Sequence, residues 1–118
     1  MPETAAEPVL WTEIERPAPN VILVRCHGRL VSGGADDLLY RTVKDLIPTT
    51  PRIVLDLAEL KHTDSMGLGT LVRLYVSAKA AGCRLELMHL NKQIRNLLGL
   101  TGLFDVFAII GENGVKFM

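Results

Sequence analysis

The spacing of apolar residues changes period along this chain, and that alternation restricts the fold more than any other feature. Short β-branched runs alternate with segments whose apolar residues recur every three or four positions. The runs are VLWTEIE (9–15), VILVRCHG (21–28), RIVLDL (52–57), CRLELMHL (83–90) and GLFDVFAII (102–110). The helix-period segments cover 32–47, 68–82 and 92–100. The order is β-β-α-β-α-β-α-β. Strands separated by helices lie mainly parallel with right-handed crossovers, and only the first two can form a hairpin. The expected fold class is α/β, with a mixed, mostly parallel sheet of about five strands and helices packed on it. The 118 residues suit one domain spanning 1–118, with its core over 9–110.

Local signals set the expected boundaries. The first strand places Val9, Trp11 and Glu13 on one side, and RPAPN breaks it. The mostly apolar second strand suits burial on both faces, and Gly28 closes it. In the first helix Ala35, Leu38, Leu39, Val43, Leu46 and Ile47 face inward. Ser32 is the candidate N-cap, Asp36 and Asp37 complement the helix dipole, and Pro48 and Pro51 end the segment. The second helix turns Leu68, Leu71, Val72, Tyr75, Val76 and Ala80 inward and ends at Gly82. Asn91 caps the third, which buries Ile94, Leu97 and Leu98.

Composition removes several classes of function. Lysine plus arginine equals aspartate plus glutamate, 13 each, so nothing global points to direct nucleic-acid binding or an anionic membrane. No apolar run approaches the ~20 residues of a membrane span, and MPETAAEPVL lacks the apolar core of a signal peptide. The expectation is a cytoplasmic protein without membrane insertion. Cys26 and Cys83 sit within apolar runs and read as small buried hydrophobes. His27, His62 and His89 lack metal-ligand spacing, so neither a metal nor a cofactor is expected.

The octet HTDSMGLG (62–69) joins a strand to a helix and carries one serine, Ser65. Thr63, Asp64 and Ser65 fall at a helix N-terminus near the carboxyl edge of the sheet, where α/β folds expose ligand and partner sites. Asp64 or Ser65 can serve as a cap. Gly67 and Gly69 each cost about 1 kcal/mol relative to alanine inside a helix. Tight packing against a strand and a bare, approachable surface explain them equally well. A nucleophilic serine fits poorly: the hydrolase elbow needs glycine where Thr63 stands, and no His–Asp partnership is visible. No catalytic residue is assigned. A phosphate acceptor fits better, since free amides and the dipole favour an anion there. A phosphoryl group adds about −1.5 to −2 of charge, changing the surface while sparing the fold. The glycines do not form a P-loop, whose Gly-Lys-Ser/Thr ending is absent.

The stretch IVLDLAELKHTDSMGLGTLVRL resembles the signature of STAS domains, in particular bacterial anti-sigma factor antagonists. IRNLLGLTGLFDVF is similar to the family's downstream segment, and the likeness spans roughly residues 9–110. The resemblance implies a single STAS-like domain that is not an enzyme. It implies two partners: an anti-sigma factor with serine kinase activity, whose capture frees a sigma factor, and a serine phosphatase. The family's phosphorylated serine maps onto Ser65. Contacts with the kinase are expected from Thr63, Asp64, Met66, Gly67, Leu68 and Gly69, together with Arg29, Leu30, Val31 and Ser32. Leu68 and Met66 would supply apolar area and Asp64 would hold the turn. Met66 stands where the family often has serine or threonine. Gly28-Arg29-Leu30-Val31 replaces a Gly-Glu-Leu-Asp stretch, and the usual last helix is expected to be largely missing after Ile110. The alternative reading is a STAS subunit of another assembly, either a lipid-transport ATPase or a stress-signalling scaffold.

Overall fold

The computed structural model describes residues 9–103 and 106–110. The elements run β1 (Leu10–Ala18), β2 (Val21–Leu30), α1 (Ala35–Leu46), a 3-10 turn (Ile47–Thr49), β3 (Arg52–Thr63), α2 (Ser65–Ala80), β4 (Arg84–Met88), α3 (Lys92–Thr101) and β5 (Ala108–Ile110). The sheet order is β1-β2-β3-β4-β5. The β1–β2 pair is antiparallel and every later pair is parallel, so the expected α/β class and element order hold.

Sequential order combined with right-handed crossovers sends α1, α2 and α3 to one face of the sheet. Their buried residues, including Leu39, Val43, Leu71, Leu74, Ile94 and Leu98, join Ile22, Val24, Ile53, Leu55 and Leu87 in one cluster. The opposite face carries a smaller cluster of Val21, Leu23, Val54 and Met88, so β2 is buried on both faces as its composition implies. Ion pairs surround that cluster. Asp56 accepts from Arg25 Nε at 3.3 Å and meets His89 Nδ1 at 2.9 Å, while Arg25 reaches Glu15 at 2.8 Å. Glu86 is paired with both Arg52 and Arg84. Cys26 and Cys83 are free and buried. Burial pushes the Cys26 thiol up to about 12, which keeps it protonated and inert.

Several boundaries differ from expectation. β1 runs through Pro17 to Ala18 instead of breaking, because it is an edge strand and its register shifts between Glu15 and Ala18. β2 continues past Gly28 to Leu30 across an irregularity at Gly28/Arg29. Gly34, not Ser32, occupies the N-cap of α1 and makes no side-chain cap bond, while Leu38 is 40% exposed. β3 extends from the expected Leu57 to Thr63, paired with the distal half of β2. α2 begins at Ser65, three residues before the periodic segment, and Val76 and Ala80 face outward. β4 is shorter than its run, α3 ends one residue later, and β5 keeps only Ala108–Ile110 because Gly102 ends α3 in a left-handed conformation. Phe104, Asp105 and the termini 1–8 and 111–118 lie outside the described residues, and so does the expected loss of the last helix.

Candidate functional site

The parallel strands β2 and β3 end side by side, with Leu30 paired to Thr63. Everything that follows them in sequence therefore gathers at one edge of the sheet. Asp64 ties these pieces together. Its backbone is extended, and its Oδ1 accepts from Gly67 N at 2.8 Å as the N-cap of α2. Its Oδ2 accepts from Ser32 N at 3.1 Å and Ser32 Oγ at 3.4 Å, and its own N–H donates to Leu30 O at 3.3 Å. Ser32 thus clamps the β2–α1 loop to α2 instead of capping α1. The Gly67 amide, followed by that of Ser32, holds the Asp64 carboxyl below the usual carboxylate range.

Ser65 is the first residue of α2 and is exposed, and Met66 beside it is 57% exposed. The ten residues expected at the contact surface divide into two groups. Arg29, Ser32 and Met66 are exposed, and Val31, Asp64 and Gly69 are half-buried. Leu30, Thr63, Gly67 and Leu68 are buried and form the seat beneath. Leu68 turns its apolar area into the core at 5% exposure, which leaves Met66 as the exposed apolar side chain of this turn.

The two glycines serve different purposes. A β-carbon on Gly67 would lie 2.1 Å from Leu30 O, so only glycine lets α2 approach the end of β2 this closely. One on Gly69 would meet nothing within 4 Å. Packing explains the first, and the second opens onto free space.

α3 contributes residues that the sequence did not single out for the site. Gln93 Oε1 accepts from Thr63 N at 3.1 Å, and its Nε2 lies 3.1 Å from His62 Nδ1. Asn91 caps α3 through Ile94 N at 2.8 Å and also donates to Leu60 O at 2.6 Å. The cap was legible, but its second bond spans 31 residues and has no local signature. The available signal was position: Asn91 and Gln93 follow β4, whose carboxyl end lies on the same edge as Thr63.

A His–Asp pair invisible in the sequence does exist, between His89 and Asp56. Asp56 stands seven residues before Thr63 on β3, roughly 20 Å from the serine turn at strand spacing. His62 faces Gln93. Neither histidine builds a nucleophile–base pair with Ser65. Among the described residues no cluster of His, Cys, Asp or Glu is arranged to hold a metal, and no helix is long and apolar enough to cross a membrane.

Known proteins share this fold. The family model described as STAS domain matches residues 15–114. The anti-sigma factor antagonist SpoIIAA, a Bacillus cell fate determinant, matches in its unphosphorylated form at 18% identity and TM-score 0.70, over 87% of this chain and 90% of that one. Its phosphorylated form matches at 18% identity and TM-score 0.67, over 87% and 94%. An anti-sigma factor antagonist from Mycobacterium paratuberculosis matches at 22% identity and TM-score 0.73, over 85% and 84%. The murine anion transporter Slc26a9 matches at 20% identity and TM-score 0.63, over 73% of this chain and 14% of the transporter.

Proposed function

The chain belongs to the STAS domain family, and from that membership we propose that it is an anti-sigma factor antagonist switched by phosphorylation of Ser65. One observation carries the reading. Asp64 spends both carboxylate oxygens on the α2 cap and the Ser32 clamp, so the turn is held without the Ser65 side chain, which stands exposed. A phosphoryl group there enters solvent at the positive end of a 16-residue helix. The fold keeps its cap, and the docking surface gains about two negative charges beside Met66 and Asp64. In this reading the protein binds and does not catalyse. Its partner is a serine-kinase anti-sigma factor that releases the phosphorylated form, and a serine phosphatase restores it. Arg29, Val31, Ser32, Met66 and Gly69 make the contact, with Leu30, Thr63, Gly67 and Leu68 holding the surface in shape.

The test is incubation with a serine-kinase anti-sigma factor and ATP, followed by phosphosite mapping. Label confined to Ser65 and absent from Ser65→Ala supports the switch. Label on another residue sinks it. The match to Slc26a9, which covers 14% of that transporter, favours a second reading, a STAS module within a larger assembly, where Ser65 would stay unmodified.

A further inference from the structure

The exposed side of helix α2 runs on from the Ser65 turn, where Met66 and Gly69 already belong to the proposed contact, along the length of the helix. Met66, Gly69, Arg73, Val76 and Ala80 recur at spacings of three and four, which places them on one stripe along the helix. Met66 and Val76 are 57% and 59% exposed, Arg73 and Ala80 are exposed and Gly69 is half-buried. The residues α2 buries, Leu68, Leu71, Leu74 and Ala78 among them, lie on the other side. Beside the stripe runs a groove of about 510 Å³, lined by Lys44, Ile47, Pro48, Val76 and Ala80.

The charged side chains of α2 itself are of one sign. α2 carries Arg73 and Lys79 and no acidic residue, although the whole chain is balanced. Arg73 lies with its guanidinium 4.7 Å from the centre of the Tyr40 ring, and Lys44 Nζ lies 5.4 Å from the same centre. Lys44 also donates to Tyr40 Oη at 3.2 Å, and Arg73 to Thr70 Oγ1 at 3.1 Å. Among the described residues neither cation is paired with a carboxylate. Two cations share one aromatic ring, and both residues are exposed.

We infer that this stripe docks an amphipathic helix of another protein, with apolar residues flanking a central carboxylate that pairs with Arg73. Met66 and Val76 stand ten residues apart, about 15 Å along the axis, which suits anchors about three turns apart on the incoming helix. A second copy of this chain is the wrong occupant. Arg73 is the midpoint of the stripe from Met66 to Ala80, so two-fold antiparallel packing would set Arg73 against its own copy. The inference rests on the proposed function only for the partner's identity: the stripe starts one residue from Ser65, so one anti-sigma factor can cover both.

The test needs no kinase, so it fails or succeeds separately from the Ser65 switch. A synthetic amphipathic helix with leucines at two ends of one face and glutamates between them is titrated into isotope-labelled protein and followed by amide shifts. The expected shifts concentrate on residues 66–80 and weaken as salt rises. Arg73→Glu lowers affinity about tenfold, and a lysine version of the peptide binds that variant better than the wild type. Val76→Asp, which changes an exposed apolar position, weakens both peptides. Equal binding of acidic and basic peptides to wild type, or shifts centred elsewhere, overturns the inference. So does a concentration-dependent dimer broken by Val76→Asp, or competition by anionic phosphatidylglycerol vesicles.

Discussion

A β-carbon added to Gly67 would lie 2.1 Å from the carbonyl oxygen of Leu30. The contact joins the first turn of α2 to the last residue of β2, beneath the exposed Ser65. Gly67→Ala therefore forces backbone apart and should cost about 1–3 kcal/mol. Gly69→Ala, with open space around it, should gain about 0.5–1 kcal/mol by restricting the unfolded chain. Urea unfolding of the two variants decides the matter, and a neutral Gly67→Ala would contradict the close packing.

Ser65 is the first residue of α2, so a negative charge there meets the favourable end of the dipole. Ser65→Asp should leave the melting temperature unchanged or slightly raised while abolishing capture of the kinase. A fall of many degrees would mean that the serine supports the fold.

Leu74 and Val76 lie two residues apart on opposite faces of α2, at 0% and 59% exposure. Leu74→Ala should cost about 2–5 kcal/mol through lost burial and a residual cavity. Val76→Ala should stay within about 0.5 kcal/mol. Comparable losses from both would show that Val76 faces the core.

Burial opposes ionisation of Asp56, but the Ala58 N–H, His89 and Arg25 outweigh it and hold its carboxyl below the ordinary 3.8. A depressed carboxylate stabilises the fold fully well above pH 3.8, and that stability is lost as pH falls through the lower folded value. Stability should therefore decline steeply on the acid side, and Asp56→Asn should make that decline shallower. Asp64, depressed in the same direction, keeps it from becoming flat. Denaturation midpoints measured from neutral pH down to about pH 3 test this, and parallel curves for the two proteins would refute it.

Thr63 Oγ1 is buried and has no hydrogen-bond partner among the described residues. An unsatisfied buried hydroxyl costs about 1–3 kcal/mol, and a methyl of the same shape removes that cost. Thr63→Val should raise the unfolding midpoint. An unchanged or lower midpoint would show that the hydroxyl is bonded.

The sequence by itself determined what depends on near neighbours. The order of elements follows from the period of the apolar residues. Asp64 and Asn91 announce their helices because a cap bonds three residues ahead. Gly82 ends α2 because a left-handed residue suits glycine. What only the tertiary structure decided depends on partners distant in the chain. β3 runs on to Thr63 because β2 supplies pairing for it, although KHT has no strand signature. Ser32 serves Asp64, 32 residues away, and not the helix that follows it. Leu68 sinks while Val76 surfaces, because the helix axis is set by what α2 packs against and a periodic stripe fixes its inward face only loosely. Gly67 and Gly69 are identical in sequence terms, and a single carbonyl from β2 separates their roles.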